Sequence, residues 1–177
     1  SCMNRKQAIA DTALRLFAER GYEHTPTQLI AREAGVSEAL IFKHFGNKEQ
    51  LLAHIIKSGY KRIVEHNPGM LQQDDPIRLI HSILDLPARL VAQEPEFWKL
   101  QYRLVDMPLS NKHHTLFLQP VYTLLMRAFE TLGYEDPEAE TQFVLLVIDA
   151  LWKKQVMGGI EATAALPELI KKKYSPH

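Results

Sequence analysis

The chain has 177 residues, 46% of them apolar, with 21 Lys and Arg against 21 Asp and Glu. That length holds one generous core or two small ones, and the longest apolar run, Phe143 to Ile148, falls far short of the roughly eighteen residues of a membrane span. The zero net charge conceals an uneven distribution: residues 1–62 carry ten Lys and Arg against six acids, net +4, and the remainder balances at −4, as a nucleic-acid-reading head on a body of another purpose would.

The spacing of Ala10, Ala13, Leu14, Phe17 and Ala18 predicts a first helix from about Asn4 to Arg20, closed by Gly21. Thr25 is then expected to cap a second helix, with Pro26 at its first position and Gln28 three residues after the cap. That helix should end near Ala34-Gly35, because glycine closes a helix in the left-handed conformation without steric cost. Val36 fills the corner and Ser37 caps the next helix. On that third helix Ile41 and Phe45 share an inward face, which turns Glu38, Ala39, Leu40, Lys43 and His44 outward. Gly46 stops it, and Asn47, with Gln50 three residues on, caps a fourth helix running to about His66. Leu51, Leu52, Ile55, Ile56 and Tyr60 give this helix a wide apolar face. Two short helices joined by a tight turn, the second presenting a polar face, make a helix-turn-helix.

Asn67 to Pro76, NPGMLQQDDP, reads as a linker whose Asp75-Pro76 starts the next helix. Further helices are expected at about 76–93, 95–106, 111–133, 137–157 and 163–174, with Glu94-Pro95 and Asp136-Pro137 marking two of the starts. Pro87 and Pro120 should kink or split theirs, since proline removes a backbone donor and clashes with the preceding turn. Strand signals are absent, so the expected fold is all-α with about nine helices. The 137–157 helix is apolar on two sides: Phe143, Val147, Ala150 and Leu151 form one stripe, and Leu145, Ile148, Trp152 and Val156 another. A helix apolar on two sides must be covered on two sides. The second stripe, with Leu166, Leu169 and Ile170 of the last helix, is the candidate dimer interface, half of a four-helix contact in a two-fold homodimer.

The elements LFAERGY (16–22), IAREAGVS (30–37), IFKHF (41–45) and KEQLL (48–52) agree in order and spacing with one known pattern. Over about its first third the chain resembles the DNA-binding domain of the tetracycline-repressor (TetR) family of transcriptional regulators. The resemblance implies a helix-turn-helix DNA-binding domain at 1–47, a connecting helix at 48–66, and a helical ligand-binding and dimerisation domain at 67–177. It also implies a ligand-responsive repressor that binds double-stranded DNA.

A dimer places two recognition helices in successive major grooves about 34–36 Å apart, so the operator should be a near-palindrome. Glu38, Ala39, Leu40 and Lys43 are expected nearest the base edges: Lys43 can donate to guanine, Glu38 can accept from a cytosine amino group, and Leu40 can meet a thymine methyl. Thr27, Gln28, Ser37, Phe42, His44 and Lys48 are assigned to the phosphate backbone, and Arg5 and Lys6 to phosphates or the minor groove. Three positions depart from the common family pattern: Glu38 where a basic or polar residue is frequent, Ala39 where Gly is common, and Phe42 where Tyr is common.

Trp98, Tyr102, Met107, Phe117, Tyr122, Met126 and Phe143 are the candidate lining of an apolar effector pocket, since aromatic and methionine side chains suit one, as they also suit a packed core. No charge cluster points to a ligand class. None of the eight histidines pairs with another His or a Cys at metal-ligand spacing, and no nucleophile motif, phosphate-cradling loop or dinucleotide fingerprint is present. No metal, cofactor or catalytic residue is therefore expected, and the protein is not expected to be an enzyme. The lone Cys2 forms no internal disulfide and fits a reducing compartment. With a polar N-terminus lacking the apolar segment of a secretory signal, this makes the cytoplasm the expected setting. The competing reading is a helical protein–protein interaction module whose helix-turn-helix does not touch DNA.

Overall fold

The computed structural model describes residues 2–176, with side chains from Arg5 onward, so the Cys2 side chain lies outside the described residues. Among them the chain is all-helical: α1 (Cys2–Arg20), α2 (Thr27–Ala34), α3 (Glu38–Phe45), α4 (Lys48–His66), α5 (Pro76–Gln93), α6 (Pro95–Arg103), α7 (Pro108–Thr131), α8 (Pro137–Gly158) and α9 (Leu166–Lys173), with a 3₁₀ turn at Ile160–Thr163 before α9. The helix starts follow local chemistry. Asp75 and Asp136 accept the backbone N–H of Arg78 and Ala139, each followed by a proline that needs no donor at that position.

The residues divide into two compact units. The first joins the chain up to Arg62 with Glu96–His113, and the second joins Ile63–Pro95 with the chain from His114 on. The division falls inside α4, and it gives α6 and the following corner to the first unit. In that unit the predicted stripe of α1 and the apolar face of α4 are buried around Phe17, Ile30, Ile41, Leu51 and Ile56. Gly59 completes it: a Cβ there would fall 2.0–2.7 Å from three ring carbons of Phe97. The bare backbone thus admits the Phe97 ring, which stands edge-on to Tyr60 and Trp98 at 5.1 Å each.

The second unit packs Leu79, Ile83, Leu84 and Leu90 of α5 with the buried residues of α7, α8 and α9. Of the two expected effects, a kink or a split, the split does not occur: α5 runs through Pro87 and α7 through Pro120. Losing a backbone bond at a proline costs about 3 kcal/mol. Each buried large apolar side chain returns about 1.5–3 kcal/mol, and α5 buries Leu79, Ile80, Ile83, Leu84 and Leu86 before Pro87 and Leu90 and Val91 after it. Asn67 and Gln93 bind each other reciprocally through their amides at 2.7 and 3.0 Å, and Asn67 also donates to the Ile63 carbonyl at the end of α4. His81 on α5 lies with Nε2 at 3.1 Å from the Lys171 and Tyr174 carbonyls, which fastens the end of α9.

The inward side of α8 differs from both predicted stripes. Thr141, Val144, Ile148, Leu151, Trp152 and Gln155 are buried, so Ile148 and Trp152, like Ile170 on α9, belong to this chain's own core. Leu145 and Val156 are half-buried, while Leu166 and Leu169 are exposed. The outward apolar row of α8 is Phe143, Leu146, Ala150 and Met157, with Leu146 71% and Met157 76% exposed. No helix among the described residues is long and apolar enough to cross a membrane.

Candidate nucleic-acid interface

The turn between α2 and α3 is built from the chain outward. Gly35 takes φ 68°, and the Val36 N–H reaches back to the Ala31 carbonyl at 3.0 Å while Gly35 bonds the Arg32 carbonyl. That is the six-to-one and five-to-two closure of a left-handed helix end. Ser37 leaves in extended conformation, and its Oγ accepts the Leu40 N–H at 3.1 Å. Behind α3, Ile41 and Phe45 are buried. Ahead of it, Ala39, Phe42 and Lys43 are exposed, and Leu40 and His44 are half-buried.

Thr25 does not cap α2. That helix starts one residue later than expected, with Pro26 at its N-cap and no side-chain cap bond. Thr25 is fully buried and its hydroxyl donates to the Gly21 carbonyl at 2.7 Å, with the Leu16 carbonyl at 3.4 Å. It closes the end of α1, where carbonyls lack helical partners, and the capping box with Gln28 does not form.

Several residues assigned to DNA have intramolecular engagements. Thr27 donates through Oγ1 to Glu38 Oε1 at 2.5 Å, which joins the first residue of α2 to the first of α3. Lys48 turns inward: Nζ donates to the Tyr22 carbonyl at 2.6 Å and lies 4.2 Å from the centre of the Tyr22 ring. Burial pushes its amine below the ordinary lysine value, with Glu23 acting the other way. Lys6 sits 5.5 Å over the Phe45 ring, while Arg5 and Gln28 are exposed. Asn47 accepts the Gln50 N–H at 2.8 Å and opens α4 as expected. The exposed side chains of α3 are thus an ammonium at Lys43, an aromatic face at Phe42 and a methyl at Ala39, next to the Glu38 carboxylate that Thr27 already engages.

The scaffold also holds His54, which composition did not single out. Its ring meets Phe45 edge-on at 5.1 Å, and Ser58 Oγ lies 3.3 Å from Nε2. Burial, then the nearby positive charges of Lys6, Arg62 and Lys57, hold its imidazole below the ordinary value.

The candidate effector residues are dispersed. Trp98 is core in the first unit, beside half-buried Tyr102 and Met107. In the second unit Phe117 and Met126 are half-buried, and Tyr122 and Phe143 are exposed. A cavity of about 670 Å³ in that unit is lined by none of them; its wall includes Leu71, Gln72, Asp74, Leu79, Leu124, Arg127 and Thr131. Among the described residues, no three His, Cys, Asp or Glu side chains gather as a metal site would require.

Residues 9–55 match the model of the bacterial regulatory proteins of the tetR family. The HTH-type transcriptional regulator YvkB of Bacillus subtilis (strain 168) is 39% identical over 129 residues, which is 71% of this chain and 66% of that protein. The HTH-type transcriptional repressor AcnR of Corynebacterium efficiens is 30% identical over 87 residues, 49% of this chain and 44% of that one. The chain therefore spans just under two thirds of the first relative and under half of the second. A TetR-like transcriptional regulator from Rhodococcus sp. RHA1 has the same fold, with a TM-score of 0.78 at 21% identity over 96% of this chain and 93% of that chain. The matched head, the helix-turn-helix geometry and the shared fold lead to one assignment: the chain belongs to the TetR family of bacterial regulatory proteins.

Proposed function

We propose that this protein is a sequence-specific DNA-binding transcriptional regulator, a repressor that binds a near-palindromic operator as a homodimer in the cytoplasm and has no catalytic role. The observation that carries the reading is α3 itself, anchored from behind by Ile41 and Phe45 while Ala39, Phe42 and Lys43 remain exposed. A short helix held this way enters a major groove, whose width of about 12 Å accommodates it. Repression is carried over from the relative AcnR, whose name describes a repressor. For the dimer, the support is the outward row of Phe143, Leu146, Ala150 and Met157, which recurs at one-face helical spacing; α9 also exposes Leu166 and Leu169.

Release of DNA by a small molecule is the remaining part of the proposal. The cavity at Leu71–Leu79 and Leu124–Thr131 falls in the volume range of small-ligand sites, roughly 300–1,000 Å³. Coupling of about 1–3 kcal/mol between that site and the DNA would change affinity about 5–150-fold. The test is fluorescence anisotropy with labelled duplex from the region upstream of the protein's own gene. Saturable binding at low salt, to a palindromic segment with two chains per duplex, is expected. No binding above that of random duplex would overturn the reading and favour a protein-binding module.

A further inference from the structure

The hydrogen bond between the first residues of α2 and α3 has the length of a hydroxyl donating to an ionised carboxylate. Glu38 is half-buried and opens α3, where unpaired backbone N–H groups and the helix dipole favour a negative charge. Among the described residues Thr27 is the one hydrogen-bond partner of this carboxylate. Oε1 is committed to Thr27, and Oε2 keeps its accepting capacity.

Resting on the DNA-reading role proposed above, the geometry points to Glu38 as the residue that selects cytosine at one position of each half-site, with Thr27 as the positioning residue that aims it. An ionised carboxylate accepts hydrogen bonds and donates none. In the major groove only cytosine N4 and adenine N6 offer donors, whereas guanine presents O6 and N7, and thymine O4, as acceptors. Guanine and thymine therefore meet the Glu38 oxygen with repulsion. Adenine is the weaker of the two remaining partners, because its donor is flanked by the acceptor N7. That pair of groups suits a side chain that both gives and takes, as an amide does. Thr27 contributes by orientation: a carboxylate among phosphates would swing away from the duplex, and the hydroxyl fixes one of its oxygens.

Selection of bound sites from a pool of random duplexes tests this, followed by competition with single-base variants of the selected site. The native protein should enrich one cytosine per half-site and discriminate against its replacement by about tenfold. Glu38→Gln should lose that preference or move it to adenine. Thr27→Val should weaken it several-fold, and Thr27→Ser, which restores the hydroxyl, should recover it; thermal melts establish that each variant is folded. Identical base preferences in the native protein and Glu38→Gln would overturn the proposal while leaving DNA binding intact. No enrichment of any sequence would overturn the DNA-reading role as well, so the two failures are distinguishable.

Discussion

Lys48 donates its ammonium to the carbonyl of Tyr22, 26 residues earlier, and places that charge over the ring of the same residue. One side chain at the start of α4 thereby holds the connection between α1 and α2. A charge-assisted bond of this kind contributes about 1.5–3 kcal/mol when shielded. Because Lys48 is only half-buried, about 1 kcal/mol is the expected loss for Lys48→Met, read from urea unfolding. The salt dependence of DNA binding should stay at the native slope in this variant. Lys43→Ala, which removes an exposed ammonium from α3, should lower the slope by about one unit. A reduced slope for Lys48→Met would return that residue to the phosphate backbone.

Gly59→Ala sets two effects of opposite sign against each other. Alanine favours a helix interior by about 1 kcal/mol over glycine. The new methyl, however, would overlap a ring already wedged against Tyr60 and Trp98, and overpacking costs about 1–3 kcal/mol or more. The overlap wins, so Gly59→Ala should lower the melting temperature, and Phe97→Leu in the same chain should recover part of the loss.

His54 makes stability depend on pH with a definite sign. Its folded value lies below the ordinary 6.5 through burial and three nearby cations, so the unfolded chain takes up the proton more readily just below that pH. Stability is therefore fully present above 6.5 and declines as pH falls through it. His54→Gln should shrink the difference in melting temperature between about pH 7.5 and about pH 5.5. An unchanged difference would remove His54 as a contributor.

Leu146→Glu tests the proposed dimer without touching the core, since its side chain is 71% exposed. Monomer stability should change by no more than about 0.5 kcal/mol, while sedimentation velocity should show the native dimer replaced by monomer. A variant with the native sedimentation profile would exclude this row from the interface.

Which features the sequence discloses depends on how far apart the partners lie. Ser37, Asn47, Asp75 and Asp136 each accept from a backbone N–H three residues later, and so can be read from a four-residue window. Thr25 looks like another such cap, but its partners lie four and nine residues back, in the helix it closes. Lys48 with Tyr22, and Gly59 with Phe97, are pairs that only the tertiary fold brings together. The inward face of α8 was hidden for a different reason. It includes the polar residues Thr141 and Gln155, so apolar periodicity alone does not mark the direction in which the helix is buried. The same logic explains the Thr27–Glu38 bond: each residue alone suggests a DNA contact, and only their pairing shows that one hydroxyl proton is already committed.

The presence of α6 in the first unit has a consequence for the order of assembly. When Gly59 and Tyr60 leave the ribosome, the aromatic pair that fills their groove is still unmade, because Phe97 and Trp98 follow only after the chain has passed through residues 63–95. The first unit is mostly early in sequence but late to be finished. Closing a loop of that length costs only slightly more entropy than closing a short one, so the delay is one of synthesis more than of energy. At roughly 5–20 residues per second it lasts about 2–8 seconds. During that interval Gly59 and Tyr60 lack the rings that cover them, while the core around Phe17, Ile30, Ile41 and Leu51 already has all its residues.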